Sequence, residues 1–182
     1  MGKWAIDIEE FDVGFDAISP GRYVFQIEEG VQTYEADSGA VSIGIPLTAI
    51  ETKDDELEDQ IGKKITWFQN ILKKNGDTNP MGEKMIIRLL AVTLTGDYVD
   101  SKLGDDDDIS DPDTIEILKG CLPGRKLIGT VIMGKDGQGK DRPEPANFKK
   151  YSKAKPYKPG KGASGGESKK KEVADADVDD WD

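Results

Sequence analysis

Two hydrophobic periods divide the chain into elements. After the Pro20-Gly21 turn, residues 22–28 alternate so that Tyr23, Phe25 and Ile27 share one face, the period-two signature of a half-buried strand. Residues 40–50 alternate again through Val41, Ile43, Ile45 and Leu47, with Pro46 implying a bulge or an edge position. A third strand is expected over residues 62–68, where β-branched and aromatic residues follow Lys63 and Lys64. The period then lengthens. After Asn79-Pro80, Met81, Met85, Leu89 and Val92 recur at helical spacing until Gly96, which predicts a helix. Residues 112–119 allow two further helical turns capped by Gly120. A fourth strand over 125–133 and a short fifth over 146–151 complete the pattern.

Three strands, a helix and two strands is the order of a five-stranded OB-like barrel, with its helix between strands 3 and 4. The fold class expected is therefore mainly β. Many barrels of this kind bind oligonucleotides, although fold alone does not establish function.

Composition then sets the domain limits. Leu, Ile, Val and Phe total 39 in residues 1–151, whereas residues 152–182 hold only Val173 and Val178. The first region is expected to fold. The second reads as a disordered tail in two parts: residues 152–172 carry seven Lys against two Glu, and residues 173–182 carry five Asp and no base. Because the tail is neutral in sum, the folded part carries the chain's whole formal charge of −11. A basic groove on such a domain requires the acids to be segregated elsewhere.

The absence of His removes imidazole bases, His-dependent triads and HExxH zinc sites, and the lone Cys121 removes disulfides within the chain and cysteine-only zinc sites. No enzyme, cofactor or metal site is expected. Acidic residues near the N-terminus stand where a signal peptide needs an apolar stretch, and no stretch is long enough to span a membrane, so a cytoplasmic protein without a membrane partner is expected.

Two motifs approach known chemistry and miss it. Residues 134–140 fit the opening of a phosphate-binding loop, but Asp141 stands where Ser or Thr should hold magnesium, and Arg142-Pro143-Glu144-Pro145 blocks the helix that would follow. Asp105, Asp107, Asp111, Asp113 and Glu116 match part of a calcium loop in which Ser110 replaces the turn glycine, so a solvated acidic loop is the better reading. Two alternatives stay open: an acidic DNA-mimic or adaptor, and a carboxylate-metal nuclease whose acids could hold magnesium.

The strands carry a different set. Arg22, Tyr23, Phe25, Lys63, Lys64, Trp67, Phe68, Arg125, Lys126, Lys149, Lys150 and Tyr151 supply the cations that track phosphates and the aromatic faces on which unpaired bases stack. About half of the aromatics are expected in the core, because alternation turns one face of each strand inward. Four or five phosphate contacts would give a log-affinity against log-salt slope of roughly −3. At the chain's end, Asp177, Asp179, Asp180, Trp181 and Asp182 offer a partner protein an aromatic anchor beside negative charge.

Taken together, these features resemble bacteriophage single-stranded-DNA-binding proteins, with an OB domain, a Lys, Gly and Pro linker and an acidic C-terminus bearing an aromatic. The run Pro20-Gly21-Arg22-Tyr23-Val24-Phe25-Gln26-Ile27 is also similar to small phage proteins encoded near recombination genes. The resemblance implies sequence-independent binding of single-stranded DNA in phage replication or recombination, within the host cytoplasm. The acidic tip is expected to recruit replication or recombination proteins and, being negatively charged and tethered by a flexible linker, to restrain DNA binding. A homo-oligomer is compatible with the resemblance.

Overall fold

The computed structural model describes residues 17–159, Gly137 excepted. Six strands are present: β1 (Gly21–Ile27), β2 (Gln32–Glu35), β3 (Val41–Glu51), β4 (Lys64–Leu72), β5 (Lys126–Lys135) and β6 (Asp141–Lys150). A 3-10 helix, Asp55–Gln60, joins β3 to β4. Between β4 and β5 lie α1 (Pro80–Thr93), α2 (Gly96–Lys102) and α3 (Pro112–Cys121). All pairings are antiparallel, in the order β2-β3-β1-β5-β6, with β4 also paired to β3. The protein is thus mainly β, with one more strand and two more helices among the described residues than the sequence pattern predicts.

The long β3 organises the sheet. Residues 47–51 pair with β1, residues 41–44 with β2, and residues 41–48 with β4. β1 and β2 are therefore two halves of one partner, interrupted around Gly30, whose φ of +111° suits glycine. At that interruption the Glu28 N–H donates to the Pro46 carbonyl at 2.9 Å. Since a residue in an antiparallel ladder turns its N–H and C=O to the same side, the N–H that Pro46 lacks would fall in the same gap. Pro46 is consequently neither at a bulge nor on an edge strand, as the sequence suggested. The irregularities lie between Val24 and Phe25 and between Val41 and Ser42.

β6 begins earlier than expected and takes in Pro143 and Pro145. They are tolerated because β6 ends the strand order: two residues apart, both turn their missing donors away from the β5 ladder. That side is the one facing β4, and no hydrogen-bonded ladder joins β4 to β6 among the described residues. The seam is filled instead by side chains. Trp67 of β4 meets Phe148 of β6 edge to face at 5.1 Å between ring centroids. A bulge opposite Gly129, with Asn147 at φ +54°, turns Phe148 inward.

The core is built from alternate strand positions, Tyr23, Phe25 and Ile27 on β1, Ile43, Ile45, Leu47 and Ala49 on β3, and Trp67 and Ile71 on β4, with Ile86, Leu89 and Leu90 packed on it from α1. Asn79 caps α1 by accepting from the N–H groups of Met81 and Gly82, and its amide donates to Asn70 of β4 at 2.8 Å. Gly82 is obligatory here, since a Cβ would lie 1.9 Å from the Asn70 carbonyl oxygen. Two expectations about glycine fail. α1 ends at Leu94 in the left-handed region while Gly96 starts α2, and Gly120 lies inside α3. The turn at Leu94 is held by the buried Thr93 and Thr95 hydroxyls, which bond one another at 2.9 Å.

Packing continues beyond Tyr151. Tyr151 covers Val24 and Ile128 on the outer side of the sheet, and the Tyr157 N–H donates to the Leu94 carbonyl at 2.9 Å while its ring packs edge to face on Tyr98. The acidic tip lies outside the described residues. Among the described residues, no helix is long and apolar enough to cross a membrane.

Candidate nucleic-acid interface

With odd positions of β3 buried, its even positions face outward, and register places their cross-strand partners in rows. One row runs Asn70, Ser42, Tyr34. The next runs Phe68, Gly44, Gln32. A third pairs Thr66 with Pro46, and a fourth runs Lys64, Thr48, Gln26, Lys126. These four rows make one surface across β2, β3, β4 and the ends of β1 and β5.

Its centre is aromatic. Phe68 is 44% exposed, and the half-buried Tyr34 packs against it edge to face at 5.5 Å. Gly44 lies beneath both: a Cβ there would approach Tyr34 Cε2 to 2.6 Å and Phe68 Cε1 to 3.1 Å. Gln32 donates to the Tyr34 hydroxyl at 2.7 Å. From across the seam, the Arg142 guanidinium lies over the Phe68 ring at 5.7 Å. A base stacking on this ring would displace the guanidinium from its face and leave it free to pair with the phosphate.

The sequence-derived set divides accordingly. Phe68, Lys64 and Lys126 lie on this surface, and Lys126 Nζ rests 6.0 Å from the Tyr151 ring centroid. Tyr23 and Phe25 do not: both are fully buried, because strand alternation turns them into the core. The Tyr23 hydroxyl donates to the Ser19 carbonyl at 2.8 Å, and burial, with the charges of Asp59 and Asp54, raises its pKa. Trp67 is buried on the opposite side of β4 from Phe68. Tyr151 is buried over Val24 and Ile128, and its hydroxyl donates to Glu51 at 3.3 Å.

Arg125 is also withdrawn. Its Nε donates to the Thr93 carbonyl at 3.0 Å and another guanidinium nitrogen donates to the Lys155 carbonyl, so it fastens the post-β6 segment to the helices. Partial burial lowers its pKa. Lys63 precedes β4 and is half-buried. Arg22, opposite Thr130, and Lys149, opposite Ile128, flank the Tyr151 cluster instead of Phe68, and Lys150 is exposed opposite Leu127. The sequence reading missed Tyr34, because β2 is only four residues long, and Arg142, because prolines hid its strand.

Two described segments away from this surface are strongly acidic. Residues 53–60 hold five acids and one Lys, and residues 96–121 hold nine acids and two Lys, a net of −4 and −7. Neither segment contributes to the four rows.

The two near-motifs are self-satisfied. In the β5–β6 hairpin, the Asp136 carboxylate accepts from the Gln138 and Lys140 N–H groups, and these backbone bonds hold its pKa down. In the acidic loop, Asp108 accepts from the Ser110 hydroxyl at 2.5 Å and from the Ser110 N–H, and also from the Thr78 hydroxyl. Led by the Ser110 hydroxyl, these bonds lower its pKa. Asp107 accepts from the Gly104 N–H. Among the described residues, no group of three or more acids or Cys is placed to hold a metal ion.

No protein-family model and no curated protein matches the chain.

Proposed function

We propose that this protein binds single-stranded DNA without sequence preference, stacking a base on Phe68 beside Tyr34 and holding phosphates with Arg142, Lys64 and Lys126. The observation that carries this reading is the Phe68, Tyr34 and Arg142 cluster over Gly44, an exposed aromatic pair with a displaceable cation on an otherwise polar strand face. Strand order supports an OB-like reading of the sheet. In it β1 with β2 serves as the first strand, β3 and β4 as the second and third, α1 to α3 as the inserted helical layer, and β5 and β6 as the last two. The β4–β6 seam is then the incomplete closure of the barrel.

The protein acts as a binding module, not an enzyme, and serves phage replication or recombination in the host cytoplasm. Its acidic tip recruits a partner protein. Anisotropy titration of labelled oligo-dT tests the core of this reading: tight, salt-sensitive binding that Phe68→Ala weakens, without cleavage, supports it, and no binding removes it.

A further inference from the structure

β5 runs on past the strand beside it. Its pairing with β1 ends at Val131 opposite Gly21, whereas its pairing with β6 continues from Ile132 to Lys135. The Ile27 N–H donates to the Arg125 carbonyl across β1 and β5, so alternation turns the backbone groups of every second residue after Arg125, Met133 and Lys135 included, toward the side of β1. Pro143 and Pro145, which have no N–H to give β5, stand opposite Met133 and Val131 and fit the same phase. Continued backward, β1 would set Ser19 opposite Met133. Both backbone groups of Ser19 are committed elsewhere: its N–H donates to the Gln60 side chain at 2.9 Å, and its carbonyl accepts from the Tyr23 hydroxyl at 2.8 Å. Among the described residues, Met133 and Lys135 therefore have no backbone partner on that side. The side chains of Ile132 and Met133 are exposed there as well. An open strand edge bearing large apolar side chains is a place where a further strand adds.

The chain carries a segment of matching pattern next to this edge. In Phe11-Asp12-Val13-Gly14-Phe15 the large apolar residues recur with the period of a strand. These residues lie outside the described ones. The described chain starts at residue 17, two residues before Ser19, and Ile18 is already buried in the core. So short a tether gives this segment a high effective concentration at the edge, which a separate partner lacks. We infer that residues 11–15 of the same chain add to β5 as a short antiparallel strand, beyond the detour that residues 17–20 make to Gln60. Phe11, Val13 and Phe15 turn to Met133, which shares its face with the core residue Val131 and with the half-buried Pro143 opposite. The segment thereby prolongs the apolar row of β5 and closes the edge that β1 leaves at Pro20.

Met81 on α1 is a built-in control for the test, since it is 61% exposed against 51% for Met133. Brief hydrogen peroxide treatment of the intact protein, read by mass spectrometry, should oxidise Met133 at least about threefold more slowly than Met81. In Phe11→Ser/Val13→Ser/Phe15→Ser the two rates should become equal, and the Met133 and Lys135 amides should exchange hydrogen about tenfold faster while that of Val131 is unchanged. Protection of Met133 should not depend on protein concentration. Equal oxidation of Met133 and Met81 in the parent, or protection that survives the triple substitution, would overturn the inference. Protection that appears only as concentration rises, together with a dimer in sedimentation, would also overturn it and assign the edge to a second copy.

Discussion

Trp67 and Phe68 are consecutive on β4 and do opposite work: the Trp67 ring is 6% exposed and packs on Phe148 inside the seam, while Phe68 is 44% exposed and lies under Arg142 outside it. One residue of strand separates a core ring from a surface ring, as the pleat requires. Their replacements should separate cleanly. Trp67→Ala is expected to cost about 3 to 5 kcal/mol of stability. Phe68→Ala should leave chemical denaturation nearly unchanged and lose about 1 to 3 kcal/mol of single-stranded-DNA affinity. Loss of stability with Phe68→Ala, at unchanged affinity, would place that ring in the core's service.

Gly44 predicts a subtler outcome. Since its Cβ would meet both Tyr34 and Phe68, Gly44→Ala should push the ring pair apart and weaken DNA binding, although no ligand-contacting side chain is removed. Titration of the variant beside Phe68→Ala would show whether the two defects are of one kind. Unchanged affinity would mean that the spacing of the pair is irrelevant.

The sequence disclosed the alternation of β1 and β3, the Asn79-Pro80 start of α1 and the two near-motifs, all of which depend on local pattern. Features set by pairing were hidden. Whether Tyr23 or Phe68 faces outward depends on which side the helices cover, and alternation alone is symmetric between the two. Arg142 reaches Phe68 only because β6 returns along the seam, and Arg125 is occupied only because residues 151–157 fold back over α1 and α2. The stop of α1 at Leu94 instead of a glycine is likewise set by tertiary bonds, those of Thr93, Thr95 and Tyr157.

Asp108 should govern part of the acid response. Its pKa is lowered in the folded chain, chiefly by the Ser110 hydroxyl, so its contribution is present above the unfolded Asp value of 3.8 and is lost as pH falls through the lower folded value. Asp108→Asn should therefore reduce stability at neutral pH, and the gap to the parent should narrow below about pH 4. Thermal melts across pH 3 to 7 would show it. A gap independent of pH would mean that charge at Asp108 is immaterial.

Cys121 is fully buried, and burial pushes its thiol up to about 11, from 9.0. At pH 8 it should resist thiol reagents in the native protein and react once, quickly, in denaturant. Fast native labelling would contradict the packing of α3 against the sheet.

For the tail, deleting residues 173–182 should strengthen DNA binding, most at low salt, where charge is least screened. Trp181→Ala should leave DNA affinity unchanged and abolish capture of a replication or recombination partner. Weaker DNA binding after deletion would reduce the tip to a solubility segment.

The central claim, a stacking platform backed by a few cations, is tested most directly by the salt dependence of oligo-dT binding for the parent and for Phe68→Ala. With about three phosphate contacts, from Arg142, Lys64 and Lys126, the parent slope should lie near −2, shallower than the roughly −3 that the sequence reading implied. Phe68→Ala should shift the line down by about 1 to 3 kcal/mol at every salt concentration without changing that slope. A slope near zero, or a Phe68→Ala line that coincides with the parent, would contradict the account.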